Sequence, residues 1–181
     1  MNIELEHNNF IYVPEFINSE RAHSLNSWLL AERDAGRLID DPRTNYGLFG
    51  KAYQDAAPFL ELLCEKRNEV SNLVGESLLP TYSFCIIYGP ESQLIRHKDR
   101  PACEISLTVH LGGDQKWPIF IKKPDDTEVP FDLNPGDAVI YLGCAAEHWR
   151  ERFDGQYYSQ VFLHYVRTNG PCAWAYFDKR Q

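Results

Sequence analysis

No Gly-x-Ser-x-Gly elbow, no Gly-x-x-x-x-Gly-Lys phosphate loop, no Cys-x-x-Cys pair and no helical His-Glu-x-x-His occurs in this 181-residue chain. These absences remove the signals of serine hydrolases, P-loop enzymes, thioredoxin-like redox proteins and helix-based zinc peptidases. Internal repeats, low-complexity tracts and Gly/Ser linkers are also missing, so the sequence offers no place to divide it. A single domain over 1–181 is expected, long enough to bury a core without staples. No run approaches bilayer-spanning length, and Met1–Asn9 has no basic stretch leading into an apolar segment. The expectation is a cytoplasmic protein with no membrane partner. Positive charge is scarce: 18 Lys and Arg against 26 Asp and Glu leave a net charge of −8. That balance disfavours a nucleic-acid partner, although Arg96, Lys98, Arg100, Arg150 and Arg152 could form a local basic patch.

The five cysteines (Cys64, Cys85, Cys103, Cys144 and Cys172) are odd in number and widely spaced. They read as reduced packing residues rather than a disulfide or zinc framework. A cysteine nucleophile at Cys103 or Cys144 is a rival that no motif singles out.

The period of the hydrophobic pattern changes along the chain. Asn18-Ser19-Glu20 supplies capping chemistry before Ala22, Leu25 and Leu29, with Gly36 as terminator, which predicts one amphipathic helix. A second is predicted from Pro58 through Phe59, Leu62, Leu63, Val70, Leu73 and Val74 to Gly75. Between them, the polar, Gly/Pro-punctuated Asp40–Gly47 is a loop that could border a site. From Thr81 onward, short β-branched and aromatic runs predict strands at Tyr82–Tyr88, Ile105–Leu111, Pro118–Ile121, Asp137–Leu142, Tyr157–Val166 and Cys172–Phe177. This pattern predicts a mainly β sandwich or barrel with N-terminal helices packed outside one sheet. The division expected is a helical support region over 1–80 and a β core over 81–181.

The chemistry is concentrated in His97-Lys98-Asp99 and, 51 residues on, His148. In an extended strand residues i and i+2 share a side, so His97 and Asp99 can aim at one point. The Pro135-Gly136-Asp137 turn and the apolar strand after it would deliver His148 to a neighbouring edge. Two imidazoles and one carboxylate hold one face of a ferrous ion and leave the other open. On spacing alone, hydrogen-bonded histidines with no metal remain an equal reading.

The run Leu79–Asp99, then Cys103–Leu111, Leu133-Asn134-Pro135-Gly136-Asp137 and His148, together with an early Val13-Pro14-Glu15-Phe16 before a helix, resembles the iron(II)/2-oxoglutarate-dependent dioxygenases, closest to the prolyl-4-hydroxylase-like branch. The resemblance implies a double-stranded β-helix, or jelly roll, with His97, Asp99 and His148 as catalytic metal ligands for Fe(II). It also implies 2-oxoglutarate as co-substrate, O2 as oxidant, and hydroxylation of a C–H bond with release of succinate and carbon dioxide. The substrate would be a small molecule or a polypeptide, with a prolyl or other amino-acid residue as one option.

One departure concerns the cation that grips the distal carboxylate of 2-oxoglutarate. In that branch it lies nine to eleven residues past the second histidine, where this chain has Tyr157, Tyr158 and Ser159. A buried dianion needs a replacement cation. Arg150, on the side of His148 if the strand continues, Arg100 and Arg167 are the candidates, and each could equally be a surface arginine. Ser106, Thr108 and His110 alternate with Ile105, Leu107, Val109 and Leu111, so they face either the same pocket or solvent. Tyr88 falls where a tyrosine of the family helps hold the co-substrate, and core packing is its alternative. Trp149 and Arg152 lie close enough to His148 to border a substrate mouth. Two other functions fit the same residues: a cupin-like iron enzyme working without 2-oxoglutarate, and a non-catalytic jelly-roll binding module.

Overall fold

A computed structural model describes residues 2–39 and 50–178, with the side chains of 50–53 left aside. The polar loop predicted over Asp40–Gly47 lies outside the described residues.

The chain opens with a short helix, α1 (Ile3–Asn8), and a strand, β1 (Phe10–Val13), before α2 (Ser19–Asp34). Asn18 caps α2 by accepting the Arg21 amide at 2.8 Å, and Ala22, Leu25 and Leu29 form its buried stripe. Strand β2 (Gly50–Gln54) precedes α3 (Ala57–Val74). Pro58 sits in the first turn of α3, and Gly75 ends it in a left-handed conformation at φ 74° that glycine adopts without a Cβ penalty. Both predicted helices are present.

The remaining strands are β3 (Leu78–Tyr88), β4 (Leu94–His97), β5 (Ile105–Gly113), β6 (Ile119–Lys122), β7 (Glu128–Phe131), β8 (Ala138–Tyr141), β9 (His148–Arg150) and β10 (Tyr158–Arg167). They form two antiparallel sheets, a six-stranded one in the order β1-β8-β5-β10-β3-β2 and a four-stranded one in the order β4-β9-β6-β7. This is the expected mainly β jelly roll with helices on one sheet. The segment 1–80 is more than helical support, since β1 and β2 extend the larger sheet on both edges.

Alternation on the larger sheet divides its work. One face of β5 and β10 presents Leu107, Val109, Leu111, Val161 and Leu163 to Leu25 and Leu29 of α2 and to Phe59, Leu62 and Leu63 of α3, all buried in one cluster. The other face looks toward the smaller sheet, and the interior between them holds the site.

Cys172–Phe177 is not a strand. Ala173–Asp178 is a 3-10 segment broken at Tyr176 and Phe177, where φ turns to 48°. Gly170 and Pro171 start it too abruptly for sheet pairing, and Cys172 and Ala175 pack with Val166 at the end of β10 and Leu79 at the start of β3. No helix among the described residues is long and apolar enough to cross a membrane.

Candidate metal centre

His97 ends β4 and His148 begins β9, and the two are direct cross-strand partners. Their rings lie 4.3 Å apart. Strand β4 stops at His97, so Asp99 is placed differently from the i, i+2 expectation: its amide donates to the Gly143 carbonyl at 2.9 Å, in the turn after β8. The result is the same convergence. Asp99 Oδ1 lies 3.6 Å from Nε2 of both His97 and His148, and one ligand atom from each of the three falls within 4.8 Å of the others. Cis donors around an ion at about 2.1 Å would lie about 3 Å apart, so small rotamer adjustments close the set.

Backbone contacts select the tautomers. Each imidazole donates from Nδ1 to a carbonyl two residues back, His97 to Ile95 at 2.8 Å and His148 to Ala146 at 3.1 Å. Both rings therefore direct Nε2 at Asp99, the arrangement by which backbone carbonyls orient metal-binding histidines. Burial pushes the His148 pKa down, only partly offset by Asp99. Burial also works against charge on His97, but the Asp99 carboxylate and the Ile95 carbonyl together outweigh it and the pKa rises. For Asp99 burial favours the neutral acid, yet His97, His148, His164 and the Ser106 hydroxyl together hold it at about 2. With each Nδ1–H already given to a carbonyl, both rings present Nε2 lone pairs beside the Asp99 carboxylate, a donor set that fits a divalent ion.

Deeper in the interior lies Arg150, two residues beyond His148 on the same side of β9 and 0% exposed. Its guanidinium donates to the Trp117 carbonyl and to Gln160 Oε1, the latter at 2.7 Å. It lies 4.8 Å from the ring centres of both Trp117 and Tyr158. Its Nε is buried without a hydrogen-bond partner, and among the described residues no carboxylate pairs with it. A fully desolvated cation in this state costs several kcal/mol unless an anion joins it.

The other candidate residues divide around these two centres. Tyr88 is buried beside Arg150, with its hydroxyl 3.5 Å from Gln160 Nε2. His110 stacks on Tyr158 at 4.2 Å, and its pKa falls to about 4 through burial and then the Arg150 charge. Thr108 is buried with an unpartnered hydroxyl. Ser106 instead binds Asp99. All three polar residues of β5 are buried, which removes the solvated-face alternative.

Arg100 and Arg167 are matched elsewhere, Arg100 by Asp178 at 2.6 Å and Arg167 by Glu104 at 2.6 Å and Glu76 at 3.2 Å. Arg96 pairs with Glu128 and Arg152 with Glu91. With Arg150 buried, the suggested basic patch is dispersed. Trp149 turns away from its neighbour His148 to stack on Phe120 beneath Arg96. Burial pushes the Cys103 thiol well up and Cys144 to about 11, which opposes thiolate chemistry at either.

Gln160, Trp117 and His164 were not singled out in the sequence. Parity on β10 with Tyr158 was the available signal for Gln160 and His164. Nothing short of the sheet register could place Trp117 against Arg150.

No protein-family model matches the sequence, and no curated protein matches it by sequence. Solved structures do match. A prolyl-4-hydroxylase from Pseudomonas putida aligns with TM-score 0.73 at 14% identity over 91% of this chain and 95% of that one. HygX from Streptomyces hygroscopicus, crystallised with nickel and 2-oxoglutarate, aligns with TM-score 0.71 at 16% identity over 93% and 88%. A prolyl hydroxylase from Trichoplax adhaerens, in complex with a peptide fragment of hypoxia inducible factor, aligns with TM-score 0.75 at 12% identity over 90% and 86%. The resemblance read from the His97, Asp99 and His148 segments thus extends to the architecture: the chain has the prolyl-4-hydroxylase-like fold of the 2-oxoglutarate/iron(II) oxygenases.

Proposed function

We propose that this protein is a non-haem iron(II)- and 2-oxoglutarate-dependent dioxygenase that hydroxylates a C–H bond. His97 and His148 supply Nε2 and Asp99 supplies Oδ1, and Arg150 anchors the distal carboxylate of 2-oxoglutarate. Bound there, Fe(II) and the keto acid together supply the oxidising power drawn from O2, with succinate and carbon dioxide released. The protein's residues bind, orient and exclude water. Three donors from one side leave the opposite face for exogenous ligands. Arg150 gains the anion that its burial calls for, Tyr88 and Gln160 offer hydroxyl and amide groups beside it, and Thr108 has a buried hydroxyl without a partner. Ile86, Trp117, Phe153 and Tyr158 close that end against water.

The opposite end of the interior is less enclosed. Along the inner face of β3 and β10, Ile86, Tyr88, Tyr158 and Gln160 are buried, whereas Tyr82, Phe84 and Phe162 are partly exposed. The substrate, a small molecule or a residue of a polypeptide, enters on this aromatic side.

The observation that carries the reading is a buried, carboxylate-free Arg150 on the same strand face as a metal-directed His148. Anaerobic titration with Fe(II) and then 2-oxoglutarate tests it through the visible metal-to-ligand charge-transfer band. His148→Ala should abolish the band. Arg150→Ala should weaken keto-acid binding by about 100-fold, the scale expected when one partner of a buried charge pair is removed, while Fe(II) binding holds. Arg100→Ala and Arg167→Ala should leave both unchanged. A band in His148→Ala, or keto-acid affinity that follows Arg100 or Arg167 instead, would overturn these assignments.

A further inference from the structure

Asp99 has two carboxylate oxygens, and only one faces the histidines. Oδ1 lies 3.6 Å from each Nε2, whereas Oδ2 accepts the Ser106 hydroxyl at 2.8 Å. Ser106 is fully buried, and its Oγ also lies 3.0 Å from the Cys103 carbonyl and 3.0 Å from His164 Nδ1. A hydroxyl has one proton to give. The charged carboxylate is its strongest and nearest acceptor. The contact with His164 then requires the ring to bring its own proton, so Nδ1–H donates to Ser106 Oγ. A directed chain results, His164 to Ser106 to Asp99.

The surroundings hold that chain in place. The His164 ring lies 4.5 Å from the Tyr82 ring and 6.2 Å from a nearly parallel Phe162. On the far side of Oδ2 the backbone of Gly143 passes so closely that a methyl group there would lie 2.5 Å from Asp99 Oδ2 and 2.8 Å from Ser106 Oγ. The carboxylate is enclosed on the side away from the histidines, and turning its second oxygen toward them would break the Ser106 hydrogen bond.

We propose that Ser106 and His164 are positioning residues that restrict Asp99 to one ligating oxygen. The inference rests on the metal-site reading above. Its consequence is a count of coordination positions. Three single-atom donors leave three places on a six-coordinate ion, enough for a bidentate keto acid and one further ligand. A carboxylate bound through both oxygens would take one of those places. Ser106, grouped from its strand parity with the co-substrate residues, thus acts on the co-substrate only through Asp99.

The test uses Co(II) as a spectroscopic stand-in, with 2-oxoglutarate added under anaerobic conditions, on the full chain. Ser106→Ala should still take up Co(II) but show a changed ligand-field spectrum, and it should bind 2-oxoglutarate about 10- to 100-fold more weakly, the range typical of groups that orient metal ligands. Ser106→Thr, which keeps the hydroxyl, should restore both. His164→Leu should show the same loss in smaller measure, and His164→Asn, which retains a side-chain donor, should lessen it. Should Ser106→Ala fail to fold, the His164 pair gives the reading. Wild-type spectrum and keto-acid affinity in Ser106→Ala and His164→Leu would overturn the positioning role alone. Wild-type protein that takes up no Co(II) would overturn the metal reading beneath it.

Discussion

On the helix-covered face of β5 and β10, Leu107, Val109, Leu111, Val161 and Leu163 pack against apolar side chains of α2 and α3. On the opposite face of the same two strands, Ser106, Thr108, His110, Gln160 and His164 are just as thoroughly removed from water. Backbone, pleat and burial are shared, and only the chemistry differs. The apolar face stabilises by area, about 1.5 to 3 kcal/mol for each large side chain. The polar face gains little by burial and must match every group with a partner. Most are matched: Ser106 with Asp99 and His164, His110 with the Ser159 carbonyl, Gln160 with Arg150. The exceptions include Thr108 Oγ1 on this face and, on β9 of the smaller sheet, Arg150 Nε. One face holds the sheet to its helices, and the other carries the polar groups assigned above to ligands.

The contrast can be broken most severely from the apolar side. Phe59→Ala, at a fully buried position of α3, should cost about 3 to 5 kcal/mol in denaturant unfolding. Under native conditions its Fe(II) and 2-oxoglutarate affinities should stay near wild type. A folded Phe59→Ala protein with wild-type stability would contradict the division.

A smaller effect sharpens the polar side. His110 is buried and its folded pKa is about 4, below the ordinary value of about 6.5. Between those values the unfolded chain binds the extra proton more readily, so stability is present above about pH 6.5 and is lost as pH falls toward 4. His110→Gln should reduce the pH slope of unfolding free energy in that window by up to about 1.4 kcal/mol per pH unit. Parallel slopes for variant and wild type would count against this source of acid sensitivity. Smallest of all, Asn18→Ala removes the α2 cap and should cost about 1 kcal/mol in denaturant unfolding. The charge-transfer band should not move with it.

What the sequence revealed follows the same division. Long periodic segments were readable: α2 and α3 from stripes of leucine and valine, and β3, β5 and β10 from β-branched runs. Of the strands of three to five residues, β6 and β8 were readable from their apolar runs, whereas β1, β2, β7 and β9 were not, because so few residues rarely establish a period. Cys172–Phe177 misled for a related reason: a dense aromatic run resembles a strand whether or not a partner strand exists. In the site, donor types and the His97-x-Asp99 spacing identified the convergence, although the Gly143 carbonyl rather than strand geometry places Asp99. Arg150 could be narrowed to one of three by parity with His148. Its partners Trp117 and Gln160 lie 33 and 10 residues away, and β10 shifts register against β5 between Ser159 and Gln160. Parity along β10 puts Gln160 on the site face, but which residues of other strands it meets depends on that pairing.

Strand β9 is only three residues long, yet it carries a donor directed at the metal site and the guanidinium at its two ends. The backbone positions that carry them are one pleat repeat apart, about 7 Å, and both His148 and Arg150 are paired across to β4. With those two poles assigned to a metal and a carboxylate, the backbone itself becomes a gauge of acid length. Lengthening or shortening the diacid by one carbon would then have to be absorbed by the Arg150 side chain, which the Trp117 carbonyl and Gln160 hold, because β9 itself cannot shift.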